Sequence, residues 1–136
     1  TTLMANNYTL FSAEIESLTV EEAAWLRTEI ARHRGEPVND DDGADFQETF
    51  EENSLFLFSE ESGNVDHVIL LVQSFLSKFR PADTFSFAWA ETCSKPRPGE
   101  FGGGAAFVTA DKIEYTHLFT WLDEARQRHR VAKETA

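Results

Sequence analysis

The sequence predicts an α+β fold whose core forms in the middle of the chain. The stretch 54–90 has the highest apolar density and reads as strand, helix, strand. Before it, apolar and polar residues alternate over 8–16 with the period of a half-buried strand, and a helical pattern follows. Strand and helix periods are therefore interleaved, which excludes an all-helical or an all-β protein.

The N-terminal segment predicts a strand and then a capped helix. The alternation over 8–16 gives the strand. Thr19 and Glu22 have the spacing of a capping box, in which the hydroxyl and the carboxylate each bind the other residue's backbone N–H. We expect this helix to run to about Arg34 and to end at Gly35, a residue suited to the position after a helix.

The central segment predicts an edge strand, a core strand and the main core helix. Phe46 to Phe50 is short and polar, which is typical of a sheet edge. Leu55 to Phe58 is a continuous apolar run, which predicts a strand with both faces at least partly covered. Asn64 is a good N-cap for a helix that reaches Phe79 and stops before Pro81.

The C-terminal segment predicts three more strands and a helix. Apolar residues alternate from 85 to 90, and 105–110 and 113–117 form a predicted hairpin. A second capping box, from Thr120 to Asp123, predicts the last helix, with Leu122 and Ala125 facing inward. The order is β-α-β-β-α-β, then a hairpin and a helix. We therefore predict a ferredoxin-like antiparallel sheet extended by a C-terminal β-hairpin and helix.

Length and composition predict a single domain over residues 1–136. The chain has 136 residues, 41% of them apolar, which is enough for a hydrophobic core. We expect residues 1–5 and 131–136 to be disordered. There is no signal-peptide pattern or transmembrane run. One cysteine, Cys93, excludes an internal disulfide and favours a reducing compartment, so we expect a cytoplasmic protein.

The acidic residues are concentrated in one stretch of the chain. Residues 36–66 contain eleven Asp or Glu and no Lys or Arg, whereas the remainder has thirteen acidic and twelve basic residues. This concentration of negative charge disfavours nucleic acid and anionic membranes as direct partners and favours a basic protein surface. The predicted interaction residues of this acidic strip are Asp40, Asp41, Asp42, Asp45, Glu48, Glu51 and Glu52. That the strip only keeps the protein soluble remains an alternative.

The connection 91–104 is a second candidate site, for a small ligand or an anion. It offers two cations and a run of glycines whose backbone N–H groups could hold an anion. A strand rather than a helix follows the glycines, which excludes the common phosphate-binding loops. Alternatively, the glycines let a neighbouring backbone or the Trp89 ring approach closely. The candidate residues of this loop are Glu91, Lys95, Arg97, Gly102, Gly103 and Gly104.

No pattern in the sequence specifies a reaction, a metal or a cofactor. Cys93 and His117 could be a thiol and its base, but no signature of a nucleophilic cysteine surrounds them. The loop at 39–43 fits the calcium-loop pattern poorly. We therefore expect no catalytic residue and no cofactor. We also expect no metal ligand, because His33, His67, His117 and His129 do not have the spacing of a zinc site.

The segment from Phe87 to Ala105, FAWAETCSKPRPGEFGGGA, resembles a family of small acidic proteins carried by bacterial mobile elements such as plasmids, phages and integrative elements. The Thr19 to Glu22 segment and the Thr120 to Leu122 segment are similar to the same family, so the likeness spans most of the chain. That family has no assigned activity. The resemblance implies a genetic context and no chemistry.

Two classes of function follow from these observations. The first is a non-catalytic interaction or accessory protein whose acidic strip engages a basic protein surface, as a nucleic-acid mimic or an immunity-like inhibitor of a nuclease would. The second is a small-ligand or anion-binding domain, or an enzyme, that uses the 91–104 loop and the sheet face. A deep pocket at Trp89 would favour the second class and a flat acidic face the first. A homo-oligomer is compatible with both.

Overall fold

The computed structural model describes residues 6–35 and 46–135, which form one antiparallel sheet of six strands with three helices. The predicted α+β class is confirmed. The strands are β1 (Asn7–Ile15), β2 (Gln47–Glu51), β3 (Ser54–Ser59), β4 (Phe85–Cys93), β5 (Gly102–Val108) and β6 (Ile113–His117). The helices are α1 (Val20–Gly35), α2 (Val65–Phe79) and α3 (Leu118–Thr135). The strand order is β2-β3-β1-β4-β5-β6, and the polar strand β2 lies at the edge as predicted.

The first two helices begin where the sequence predicts, because their caps are local. The Glu22 backbone N–H donates to Thr19 Oγ1 at 3.0 Å, and the Thr19 N–H donates to Glu22 Oε1 at 2.8 Å. At α2, the Asp66 N–H donates to Asn64 Oδ1 at 3.0 Å. The helix ends at Phe79, shortly before Pro81.

Helices α1 and α2 cover the same face of the sheet. In β1, Phe11, Ala13 and Ile15 are buried, whereas the residues between them are exposed. The same alternation runs through β3 and β4, and the buried strand residues share one core cluster with Leu26 of α1 and Val68 of α2. The domain is therefore built as two layers, helices on sheet.

The opposite side of the sheet, here called the open face, is not covered by any described element. Strand pairing places on it the even-numbered residues of β1, β3, β4 and β6 and the odd-numbered residues of β2 and β5. In β3, Leu55 and Leu57 are fully buried, but Phe56 and Phe58 are only half-buried on the open face. The sequence predicted that both faces of this strand are at least partly covered; its helix-covered face is fully buried and its open face is half-buried.

Helix α3 differs most from the sequence prediction. It begins at Leu118, directly after β6, rather than at the predicted cap Thr120. The Phe119 N–H donates to His117 Nδ1 at 3.1 Å, so a histidine side chain satisfies one of the free N–H groups of the first turn. This cap could not be predicted from the sequence, because histidine is not among the usual N-cap residues Ser, Thr, Asp and Asn.

Helix α3 also contributes nothing to the core, although Leu122 and Ala125 were predicted to face inward. None of its residues is buried, and Leu122 is 38% exposed. It continues to Thr135, so residues 131–135 are helical where the sequence predicted disorder. Residues 1–5 and 136 lie outside the described part of the chain. No helix in the described parts is long and apolar enough to cross a membrane.

Candidate functional site

A carboxylate, an imidazole and an indole meet at one end of the sheet, on its helix-covered face. Glu91 lies near the end of β4, and its Oε2 is 2.6 Å from His117 Nε2 on β6. The indole N–H of Trp89 donates to the same oxygen at 3.1 Å. These residues come together because β5 pairs with β4 on one side and with β6 on the other. Glu91, a predicted loop residue, therefore belongs to a hydrogen-bonded network.

The network fixes the imidazole of His117 and leaves it no free nitrogen. Nδ1 accepts the Phe119 N–H at 3.1 Å, so the ring proton is on Nε2 and points to Glu91. Cys93 is half-buried at the end of β4, and its register partner is Asn7. Because both nitrogens of His117 already have partners, the imidazole is not positioned as a base for the thiol of Cys93.

The glycine run is part of strand β5, which begins at Gly102 rather than at Ala105 as predicted. A Cβ atom on Gly104 would lie 2.4 Å from Trp89 Cζ2 and 2.4 Å from the Thr116 carbonyl oxygen. One on Gly103 would lie 2.5 Å from the Trp89 carbonyl oxygen. The glycines thus give the Trp89 ring and the neighbouring strands room to approach.

The structure separates the glycines of the predicted anion loop from its two cations. Gly102, Gly103 and Gly104 pair with β4, and Gly104 also pairs with β6, so their backbones form part of the sheet. The half-buried Lys95 and the exposed Arg97 lie in the turn that follows β4, where the Arg97 N–H donates to the Lys95 carbonyl oxygen at 2.8 Å. The Trp89 ring is 9% exposed and occupies the space over Gly104. This is packing, not the deep Trp89-lined pocket that the ligand hypothesis requires.

The described part of the acidic strip is spread over both faces of the sheet. Glu48 faces the helices and pairs with the guanidinium of Arg34 at the end of α1. Glu51 is exposed on the open face, and Glu52 lies in the β2–β3 turn with a φ of 52°. The remaining predicted strip residues lie outside the described part of the chain: Asp40, Asp41, Asp42 and Asp45.

The open face carries an aromatic patch with a polar and acidic border, here called the Phe56 patch. Its centre is Phe56 and Phe58 of β3, both half-buried. Glu14 lies beside Phe56 on β1, and Glu51 lies at the end of β2. The patch as defined here comprises Ser12, Glu14, Gln47, Thr49, Glu51, Phe56 and Phe58.

The Phe56 patch was missed in the sequence because its signal was ambiguous. A run of alternating Leu and Phe fits a strand covered on both sides as well as one covered on a single side. Whether one or both faces of the strand are covered depends on the side of the sheet on which α1 packs, and that side is determined by tertiary contacts. The alternation in the neighbouring strand β1, with the polar Ser12 and Glu14 on one side, was the available hint that this side of the sheet is not covered.

The other half of the open face contains a shallow hollow of about 610 Å³ on β4, β5 and β6. Its floor is formed by small residues, Ala88 and Ala105, with Phe107 at its side. Glu114 is the charged residue that lines it. This hollow, here called the β4–β6 hollow, lies on the face opposite the network of Glu91 and His117.

Within residues 6–35 and 46–135, no group of three or more His, Cys, Asp or Glu side chains is placed to hold a metal ion. The described histidines are dispersed, with His33 in α1, His67 in α2, His117 in β6 and His129 in α3. Comparisons with protein-family models, with curated proteins and with solved structures give no match to this chain.

Proposed function

We propose that this protein is a non-catalytic interaction protein that binds a basic protein surface through the open face of its sheet, with the Phe56 patch at the centre of the contact. The observation that carries this proposal is the composition of the patch. Two half-buried phenylalanines lie beside the carboxylates of Glu14 and Glu51, and no Lys or Arg lies on the described open face.

This composition matches the anatomy of protein–protein contacts. Aromatic residues are enriched at the centre of such interfaces, and polar residues form the rim. Carboxylates on one side steer a basic partner and raise the association rate more than they raise the affinity. The net charge of −12 extends the same field over the molecule. A nucleic acid would be repelled by this face.

The acidic strip contributes the outer part of this proposed surface. Glu51 and Glu52 are exposed where β2 turns into β3, and Glu60 and Glu61 are exposed after the end of β3. These carboxylates surround the edge of the sheet on which the Phe56 patch lies. A nucleic-acid mimic or an immunity-like inhibitor of a basic nuclease is the sharper form of this proposal.

We also propose that the fold contains a ferredoxin-like unit and that the protein is a cytoplasmic accessory protein of a mobile element. The pairing of β1 between β3 and β4, with β2 outside β3, supports a ferredoxin-like unit to which β5 and β6 are added. The resemblance of residues 87–105 supports an accessory protein of a bacterial mobile element. A single cysteine, half-buried, supports a reducing compartment such as the cytoplasm.

Affinity capture with mass spectrometry tests the proposed function. The immobilised protein is exposed to lysate of the source cell at low and at high salt. We expect it to retain basic proteins at low salt and to lose them as the salt concentration rises, because screening weakens an electrostatic contact. Retention of acidic proteins, or of nucleic acid in nuclease-free lysate, would contradict the proposal.

A further inference from the structure

Helix α3 has an apolar side that is largely exposed: Leu118, Trp121 and Leu122 are exposed, and Ala125 is half-buried. Leu118, Trp121, Leu122 and Ala125 follow the i, i+3, i+4, i+7 spacing of one helical stripe. Leu118 is 53% exposed and Trp121 is 58% exposed, and no residue of the helix is buried. Most helices in proteins owe their stability to the packing of such a stripe, because an isolated helix is marginal in water.

The β4–β6 hollow is the complementary feature, a sheet surface without a helix. Ser86, Ala88, Ala105 and Thr116 give it a floor of small side chains, and Phe107 is 42% exposed at its side. A solvated face of an antiparallel sheet is ordinarily polar. Small residues instead allow a helix to approach the strands closely, and the hollow of about 610 Å³ has room for the side chains of its stripe.

The helix is prevented by its connection from filling the hollow of its own chain. His117 ends β6 and Leu118 begins α3, with no residue between the two elements. A helix that returns onto the face of the strand before it requires a connecting loop, commonly of about 2–6 residues. Within the described residues, the apolar stripe of α3 therefore lacks a packing surface, and the β4–β6 hollow lacks a covering helix.

The charges of the two features are complementary. From residue 126 onward, α3 carries four basic residues, Arg126, Arg128, Arg130 and Lys133, and one acidic residue, Glu134. The described open face carries three carboxylates and no Lys or Arg. One of them, Glu114, lines the hollow, and the ammonium of Lys112 lies 3.6 Å from its Oε1. A cationic helix is attracted to this face, and a second acidic surface is repelled.

We propose that the β4–β6 hollow binds helix α3 of a second copy of this chain, with Trp121 as the central anchor, and that the two copies exchange their helices in a symmetric dimer. A twofold dimer contains the contact twice, since each copy supplies one helix and one hollow. Each partner then loses surface at two places, which is how a single-helix contact reaches the roughly 800 Å² per partner of a stable interface.

Matched variants test the exchange by sedimentation or light scattering. Trp121→Ser alters the helix, Ala105→Arg alters the hollow, and Val131→Ser alters an exposed apolar residue of α3 outside the stripe. We expect the parent and Val131→Ser to be dimers. The other two variants should each weaken the dimer by about tenfold or more, as for loss of a central aromatic anchor. An equimolar mixture of those two should recover a heterodimer, because one helix and one hollow remain intact.

A mixed-disulfide experiment covers the case in which Ala105→Arg does not fold. Trp121→Cys and Ala105→Cys are prepared separately, each with Cys93→Ser, and are mixed under mild oxidation. The proposal predicts a disulfide between the two different chains in preference to either homodimer. A parent protein that stays monomeric at high micromolar concentration overturns it. So does a dominant Trp121→Cys homodimer, which would mean that the helices pair with each other.

This proposal does not depend on the basic partner of the Phe56 patch, which lies on the other half of the open face. If the parent is monomeric but still captures basic proteins, the helix exchange is wrong and the proposed function stands. If the helix exchange is observed without any capture of basic proteins, the proposed function is wrong and the helix exchange stands.

Discussion

Glu22 at the start of α1 and Arg80 at the end of α2 are joined by two hydrogen bonds, from Nε to Oε2 at 3.0 Å and from Nη2 to Oε1 at 3.1 Å. Arg80 Nη2 also donates to the carbonyl oxygens of Glu16 and Ser17, at 3.0 and 2.9 Å. Glu22 is only 6% exposed. This ion pair joins the start of α1 to the end of α2, and the bonds of Arg80 tie both to the turn that follows β1.

Replacing Arg80 should therefore destabilise the fold strongly. Arg80→Leu leaves the buried carboxylate of Glu22 without its cation, which typically costs about 3–5 kcal/mol. Arg126→Leu is the matched control, because its exposed i, i+3 pair with Asp123 should contribute about 0.5 kcal/mol or less. Chemical denaturation measures both. Equal effects of the two substitutions would show that the Glu22–Arg80 pair does not anchor the helices.

The same pair should make stability depend on pH. Hydrogen bonding to Arg80 lowers the pKa of Glu22 below its ordinary value of 4.5, against the opposing effect of burial. The unfolded state therefore takes up the proton first, so the contribution is complete above pH 4.5 and is lost as the pH falls through the folded pKa. The difference in unfolding free energy between the parent and Glu22→Gln should shrink over that range. A difference that is constant down to about pH 3 would contradict this assignment.

The core helix α2 provides a third test. Phe75 is 1% exposed and contacts the rings of Trp25 and Phe79, with centroids 6.3 and 5.5 Å away. Phe75→Ala should cost about 3–5 kcal/mol of unfolding free energy. Leu70→Ala, at a position of the same helix that is 56% exposed, should cost less than about 1 kcal/mol. A small loss of unfolding free energy for Phe75→Ala would show that this helix is not part of the core.

The glycines of β5 should differ in how well they tolerate a side chain. Gly104→Ala places a methyl group against the Trp89 ring and the Thr116 carbonyl, so we expect a loss of about 1–3 kcal/mol. Gly102→Ala meets its nearest atoms, in His117 and Phe119, only at 3.3 Å and should cost less. Thermal unfolding of the two variants gives the order. The reverse order would mean that the glycines do not serve the packing of Trp89.

Sequence reasoning succeeded where the signals are local. The caps at Thr19 and Asn64 lie within three residues of the N–H groups that they bind. β1 and β4 were recognised by their alternation, and β3 by its continuous apolar run, whereas β5 begins earlier than predicted, at Gly102. The start of α3 was wrong because the cap is His117, a residue outside the usual set.

The candidate sites depend on contacts between distant residues, which one sequence cannot show. Glu91 and His117 are 26 positions apart, and Glu22 and Arg80 are 58 positions apart. Strand register decides that Glu48 and Glu51 point to opposite faces, which a count of carboxylates along the chain does not reveal. The open face itself follows from both helices packing on one side.

The most direct measurement of the central claim compares two variants of equal charge. Glu14→Gln with Glu51→Gln neutralises the border of the Phe56 patch, and Glu21→Gln with Glu124→Gln neutralises two exposed carboxylates on α1 and α3. Quantified capture of basic partners at low salt should fall by about threefold or more for the first variant, as for two exposed charge contacts, and stay near the parent level for the second. Equal capture by both variants would contradict the assignment of the Phe56 patch as the binding surface.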